Sequence, residues 1–374
     1  MTASEARTPP RGPVAVTGFG AVTAVGASAA QTSTSIRAGI RRVVERPLAG
    51  AGGDPGEEGG VYLASSAEAL AAVLGGARPR DLALAAAREA LWHAGLYEPR
   101  DVEAAYRRVA VAAFLALPAE DAPWADPSSP TAFLEAALSA RLLDRAGTKV
   151  VAVRAGHVAG ILALEAAAAS LAAGEADVAL VGGMDDLLGP VALAELGRKS
   201  KLRTDRAPGG LIPGEGSAFL VVERLDGAAR RGASARAVVA ATGRGREPVP
   251  LDGPEPSRGE GATKALQAAL AGGAPVGRVA DVFADLNGER NRDLEWALVE
   301  TRVLSALPAG WKRHVAASIV GDLGAASAGL NLVLAAEAVG RARGGGGAAL
   351  VCAASDRGER AAALLASPRP GAKG

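Results

Sequence analysis

The sequence is poor in sulfur, in aromatic rings and in net charge. It holds one cysteine, Cys352, in 374 residues, which excludes internal disulfides and cysteine-based zinc sites. Aromatic residues make up 3% of the chain against 49% hydrophobic residues overall. The core must therefore be built of Ala, Leu and Val, which let helices and strands approach closely. A net charge of +1 gives no nucleic-acid footprint and no polybasic membrane patch. Residues 1–12 contain no apolar run and do not read as a signal peptide. The longest apolar stretch, Ile161 to Ala173, carries Glu165 and Ser170 and falls short of a bilayer span. The chain is thus expected to be cytoplasmic, with neither nucleic acid nor membrane as a partner.

Its length suffices for one large core or two fused ones, and the pattern favours two. Strands are expected at Val14–Gly20, Val109–Leu117, Lys149–Arg154, Asp177–Val181 and Ser217–Glu223, with helices near 27–38, Asp81–Ala94, 126–143 and His157–Ala173. Residues 41–60, rich in Gly, Pro and charge, read as a loop. The second half repeats the theme. Strands Ala235–Thr242, Val279–Ala284, His314–Ile319, Ala348–Ala353 and Arg360–Ala366 alternate with helices Gly259–Leu270, Asp293–Leu304 and Gly324–Arg341. Alternation with continuously apolar strands implies mainly parallel sheets covered on both faces. The expected class is α/β, five-layered α-β-α-β-α from two similar halves, 13–225 and 226–367, with flexible tails 1–12 and 368–374. The Gly/Pro segment 243–258 is a candidate seam. Gly344–Gly347 lacks the Lys-Ser/Thr of a phosphate loop.

Three stretches carry a family resemblance. VAVTGFGAVTAVG from Val14 resembles the opening of β-ketoacyl synthases, GEADVALVGG from Gly174 their strand after the nucleophile helix, and LIPGEGSAFLVVE from Leu211 their "GEGAG" strand. With the order of elements, the match covers about residues 13–366. The resemblance implies a thiolase fold that dimerises and receives acyl groups from acyl carrier protein or coenzyme A. It also implies a cysteine at the start of the buried helix and two histidines from the second half. No cofactor is implied.

At those positions this chain departs from the family. The nucleophile position falls on His157, where a thiolate is needed to hold a thioester. The first histidine position falls on Asp285, within ADLNGERNRD from Ala284, and the second on Asp322, within GDLGAAS from Gly321. The family's lysine falls near Ala317, and its "GFGG" gate is replaced by Ser355–Glu359. An ionised Asp repels the negative charge of a developing enolate, so the usual condensation is expected to be lost. The replacements are polar and should meet in one pocket: His157, Asp285, Asn287, Glu289, Asp322 and Asp356.

Three readings follow. The chain could be a catalytically silent partner, like a chain-length factor, that binds an active ketosynthase as a heterodimer, or itself as a homodimer, and an acyl carrier protein. The run RKSKLR from Arg198 would then face an acidic carrier. It could be an enzyme with rebuilt chemistry, in which a helix N-terminus keeps His157 neutral and Asp285 or Asp322 orients it for acyl transfer or hydrolysis. Against this, a nearby carboxylate raises a histidine's pKa. Or one His and two Asp could hold a metal. Cys352 reads as a small core residue, His93 as a partner of its own helix's last carbonyls, and His314 as structural.

Overall fold

The computed structural model describes residues 13–47, 60–70, 79–97, 109, 111–143, 148–253, 255–272, 278–341 and 347–368. The tail 1–12, Gly344–Gly346 and most of the tail 368–374 lie outside them. The first half runs β1 (Val14–Thr23), α1 (Ala29–Arg37), β2 (Val43–Pro47), β3 (Val61–Ser65), α2 (Pro79–His93), β4 (Val111–Leu117), α3 (Ser129–Ser139), β5 (Lys149–Arg154), α4 (Ala159–Ala173), β6 (Val178–Asp186), α5 (Pro190–Arg198), β7 (Glu215–Arg224) and α6 (Leu225–Arg230). The second runs β8 (Ala237–Arg246), α7 (Glu260–Ala271), β9 (Val279–Phe283), α8 (Arg290–Arg302), β10 (Lys312–His314), α9 (Ser327–Arg341), β11 (Ala348–Ala354) and β12 (Glu359–Ala366).

Each half contributes five strands in the same spatial order. The first gives β5-β4-β6-β7-β1 and the second β10-β9-β11-β12-β8, which by rank within the half is 3-2-4-5-1 in both. The third, second and fourth strands pair in parallel, and the fifth is antiparallel to both its neighbours. A short antiparallel ladder, Val14–Val16 against Ala237–Val239, joins β1 to β8.

The central layer is α4 and α9, which touch each other and strands of both five-stranded sets. Helices α2 and α3 cover the outer face of the first set, and α7 and α8 that of the second. This is the five-layered thiolase-type architecture. Ten consecutive buried positions in β1 explain why it reads as one apolar run. Helix α4 has no polar side and stops at Gly174, whose φ of 72° caps it in the left-handed region. Two close approaches require glycine. A Cβ at Gly18 or Gly20 of β1 would lie 2.1 Å from a carbonyl oxygen of α2, and one at Gly243 or Gly245 of β8 within 2.0 Å of a carbonyl of α7. The same device thus recurs at the first strand of each half. At the centre, a Cβ on Gly160 of α4 would sit 2.7 Å from the amide nitrogen of Gly329 of α9.

Several expectations are corrected. Gly243–Arg246 belong to β8 and pair with β12, so the segment 243–258 is not the seam; the chain passes between halves through α6. The loop reading of 41–60 fails at β2, which pairs with β3. His314 ends a strand, and Ala317–Val320 form a short helix, because Ala316 and Ala317 give no branched continuation. The apolar stretch is longer than Ile161–Ala173. Gly156–Ala173 is long and apolar enough to cross a membrane by length and composition, yet 56% of it is buried inside the protein.

Candidate functional site

The two central helices are each preceded by a 3-10 turn, Gly156–Val158 before α4 and Gly324–Ala326 before α9. His157 lies in the first turn and Asp322 two residues before the second. Their side chains meet: His157 Nε2 is 2.8 Å from Asp322 Oδ1 and 3.0 Å from Oδ2. Asp322, 1% exposed, also accepts from the amide of Gly324 at 2.8 Å and from Asn287 Nδ2 at 2.7 Å. Its own backbone is fixed by the loop before β7: Asp322 N–H donates to Ile212 O, and Gly214 N–H donates to Asp322 O.

The other expected residues join the same cluster. Asn287 Nδ2 also donates to Glu289 Oε2 at 2.8 Å. Asp285, Glu289 and Asp356 are gathered by Arg292, a residue the sequence reading did not single out. Arg292 is 3% exposed. Its Nη1 donates to Asp285 Oδ2 (3.2 Å) and to the carbonyl of Ala354 (2.7 Å), its Nη2 to Asp356 Oδ1 (2.7 Å), and its Nε to Glu289 Oε2 (3.1 Å). The same Nη2 lies 3.5 Å from His157 Nδ1. A second unforeseen cation, Lys201, contacts Asp252 (2.6 Å), Asp356 (2.9 Å) and Glu289 (3.1 Å). All six residues expected from the sequence therefore converge, held together by Arg292 and Lys201.

The run 198–203 is corrected accordingly. Of its four cations, Arg198, Lys199 and Lys201 are held in ion pairs with Glu195, Asp252, Glu289 or Asp356. His93 is corrected too. Its Nδ1 contacts the carbonyl of Phe19 in β1 at 2.6 Å, so it ties α2 to the sheet. His314 pairs with Asp281 at 2.7 Å and stacks on Phe283. Cys352 is buried in β11.

Electrostatics decide the state of the imidazole. Burial is the largest single influence on His157 and pushes its pKa down. The charge of Asp322, with Asp285 and the hydrogen bond to Asp322, overcomes both burial and Arg292 and raises it to about 9. The helix-terminus argument for a neutral His157 is therefore overruled by its carboxylates. Burial likewise acts to raise Asp322, but His157, Arg292 and Asn287 hold it well below the usual carboxylate range. Burial raises Asp285 to about 6, despite His157 and Arg292. Burial would also raise Asp356, yet Arg292 and Lys201 keep it low. A pKa of about 9 favours the imidazolium at neutral pH, with Nε2–H donating to Asp322 and Nδ1–H set 3.5 Å from the Arg292 guanidinium, a donor facing a donor with no hydrogen bond between them. The ring then has no lone pair for nucleophilic attack or for taking up a proton. Among the described residues, no group of three or more His, Cys, Asp or Glu side chains is arranged to hold a metal ion.

Solved structures share this architecture. A chain of a type II polyketide synthase acyl-carrier protein in complex with its ketosynthase bound to the hexaketide is similar with a TM-score of 0.73 at 17% identity, over 96% of this chain and 100% of that one. The ketosynthase from module 6 of the bacillaene synthase from Bacillus subtilis 168 gives 0.72 at 13%, over 96% and 72%. The ishigamide ketosynthase/chain length factor gives 0.66 at 21%, over 95% and 99%. These define the class as a ketosynthase-type thiolase fold. The profile of the β-ketoacyl synthase N-terminal domain matches residues 11–228, and the chain belongs to that family. A highly reducing polyketide synthase, cla2, of Cladosporium cladosporioides is 39% identical over 90 residues, 22% of this chain and 4% of that protein's length.

Proposed function

We propose that this chain is a ketosynthase-like subunit that does not perform cysteine-dependent decarboxylative condensation and serves a condensing system as a non-catalytic partner, in the manner of a chain-length factor. The observation that carries the reading is the pairing of His157 with Asp322 at 2.8 Å, in a cluster whose cations and carboxylates are bound to one another. His157 stands where the family resemblance places the nucleophile, and an imidazolium offers no electron pair to a thioester. Asp285 and Asp322 stand where it places the two histidines. An enolate forming there would meet carboxylate charge in place of neutral donors.

The proposed partners are an active, cysteine-bearing ketosynthase in a heterodimer, and an acyl carrier protein. The kinds of assembly named for the similar structures, a ketosynthase with an acyl-carrier protein and a ketosynthase/chain length factor, support both. An acyltransferase or hydrolase built on His157 with Asp285 and Asp322 is the competing reading. It loses support because the Asp322 carboxylate against Nε2 favours the protonated ring, which has no lone pair to act as base or nucleophile.

The test is incubation of the purified chain with acyl- and malonyl-thioesters of an acyl carrier protein, followed by intact mass and thioester assay. The expected outcome is an unchanged mass and no thioester loss above background. Stable acylation of His157, or hydrolysis abolished in His157→Ala, would overturn the proposal in favour of an enzyme.

A further inference from the structure

The contacts that run outward from Arg292, the guanidinium beside His157, are ionic at every step. Arg292 Nη2 donates to Asp356 Oδ1 at 2.7 Å. The other oxygen of Asp356 accepts from Lys201 at 2.9 Å, and Lys201 also reaches Asp252 at 2.6 Å and Glu289 at 3.1 Å. Asp252 pairs in turn with Lys199 at 3.2 Å. Arg292, 2% exposed, is the inner end of this line, and Lys199, 39% exposed, is the outer. His157 keeps 13% of its side chain exposed, so the ring borders open space and not only packed core.

These contacts join the two halves of the fold. Lys201 follows α5 in the first half, and its three carboxylates all belong to the second. Asp356 lies in the turn Ser355–Gly358 between β11 and β12. The next residue, Arg357, pairs with Asp121 in the first-half loop between β4 and α3. On its own side the turn is fixed by backbone: Glu247 N–H donates to Gly358 O at 2.7 Å and Leu251 N–H to Asp356 O at 3.2 Å. A Cβ at Gly358, whose φ is 105°, would lie 2.8 Å from the Glu247 carbonyl oxygen. An adjacent anion and cation of the turn thus meet a cation and an anion of the first half. Ion pairs are not needed for stability here, since apolar packing of similar volume holds as well or better. They differ in that they can part without exposing apolar surface to water.

We infer that Lys201 and the Ser355–Gly358 turn form an ionic cover that closes the His157 centre to a thioester arm until the pairs are broken. The inference rests on the non-catalytic reading above and names how the same centre is kept from acyl donors. Lys201 is the principal tie. Without it, Asp252, Glu289 and Asp356 are left with Arg292, which reaches only the last two. Their mutual repulsion then loosens the turn as it loses its hold on the first half. The Asp121–Arg357 pair, about half exposed on both sides, contributes less and is screened by salt.

The experiment places a reporter sulfur in the centre with His157→Cys and follows its alkylation by iodoacetamide. Intact mass and peptide mapping read the product, and Cys352 is the internal control for unfolding. Rates are compared with Lys201→Met or Arg357→Gln added, and in about 0.1 M and about 1 M salt, where the Debye length falls from about 10 Å to about 3 Å. The expected result is slow alkylation in His157→Cys alone, faster by about tenfold or more with Lys201→Met. Arg357→Gln and high salt should accelerate it by smaller factors, with Cys352 unmodified throughout. Removing a cation raises a neighbouring thiol's pKa and slows its reaction, so acceleration in Lys201→Met reports access and not reactivity. A rate unchanged by Lys201→Met would overturn the cover and leave the non-catalytic reading standing. So would a rate in His157→Cys alone that equals that of the denatured chain. If Lys201→Met also exposes Cys352, the Arg357→Gln rate decides in its place, and no acceleration there overturns the cover. Acylation of His157 in the unsubstituted chain would refute the non-catalytic reading and the cover with it.

Discussion

Replacing His157 with glutamine keeps a hydrogen-bond donor toward Asp322 and removes the group that titrates. In the folded chain the pKa of His157 is raised from 6.5 to about 9. A raised histidine contributes stability that is fully present below the unfolded value and is lost as pH climbs through the folded one. The window is therefore pH 6.5 to 9. Its size follows from the shift of 9 − 6.5 = 2.5 pH units, on the order of 3 kcal/mol at about 1.4 kcal/mol per unit. The side chain is only 13% exposed, so solvent screening removes little. Burial raises Asp285 and Asp185 to about 6 and Glu89 to about 7. Their contributions are present below the usual carboxylate range and are lost as pH climbs through those values, so Glu89 titrates inside the His157 window, in wild type and variant alike.

Urea unfolding of the wild type and His157→Gln at pH 6, 7.5, 9 and 10 should show the wild type losing about 3 kcal/mol relative to the variant across that span. With three histidines in the chain, proton NMR resolves each ring, and one lost in His157→Gln should titrate near pH 9. A flat difference between wild type and variant, or a His157 resonance titrating at 6.5 or below, would refute the electrostatic argument and with it the case for a silent site.

Two further outcomes probe the frame around that site. Arg292→Leu strips three carboxylates of their shared cation and should cost about 3–5 kcal/mol in denaturant unfolding; a loss under about 1 kcal/mol would show that the carboxylates are solvated or protonated instead. Gly160→Leu drives a side chain into the α4–α9 crossing and should cost about 1–3 kcal/mol or more, read as a lowered melting temperature. A neutral result would mean that the helices are not in contact there.

The fold was legible where pattern and motif coincided. Counting back from Gly174 and Gly182-Gly183 puts His157 at the start of the buried helix, while Asp285 and Asp322 are read from their own segments at Ala284 and Gly321; in the structure His157 follows β5, Asp285 follows β9 and Asp322 precedes α9. Arg292 was not read, because in the charged stretch Glu289–Asp293 nothing local distinguishes an inward guanidinium from a solvated one. A signal was available further along. Arg292, Trp296 and Val299 share the buried side of α8, and an arginine in line with two apolar residues at spacings of four and three points inward. Lys201 gave no such signal, since its partners come from residues 252, 289 and 356. Strand β2 escaped because nearly all of it is exposed, so no hydrophobic alternation marks it. Helix α5 left a cue in Pro190 at its first position. The charge of His157 depends on the balance of five opposing influences, which spacing does not set.

Burial, with Asp285 as a lesser influence, pushes the Cys352 thiol well above its usual range. The native chain is therefore a blank background for maleimide chemistry, which needs an accessible thiolate. A second cysteine introduced at Val44 would be the one site to accept a fluorophore while the protein is folded, and would place a reporter on exposed strand β2. Without that addition, slow uptake of reagent by the enclosed sulfur becomes a clock for how often the β11 region opens.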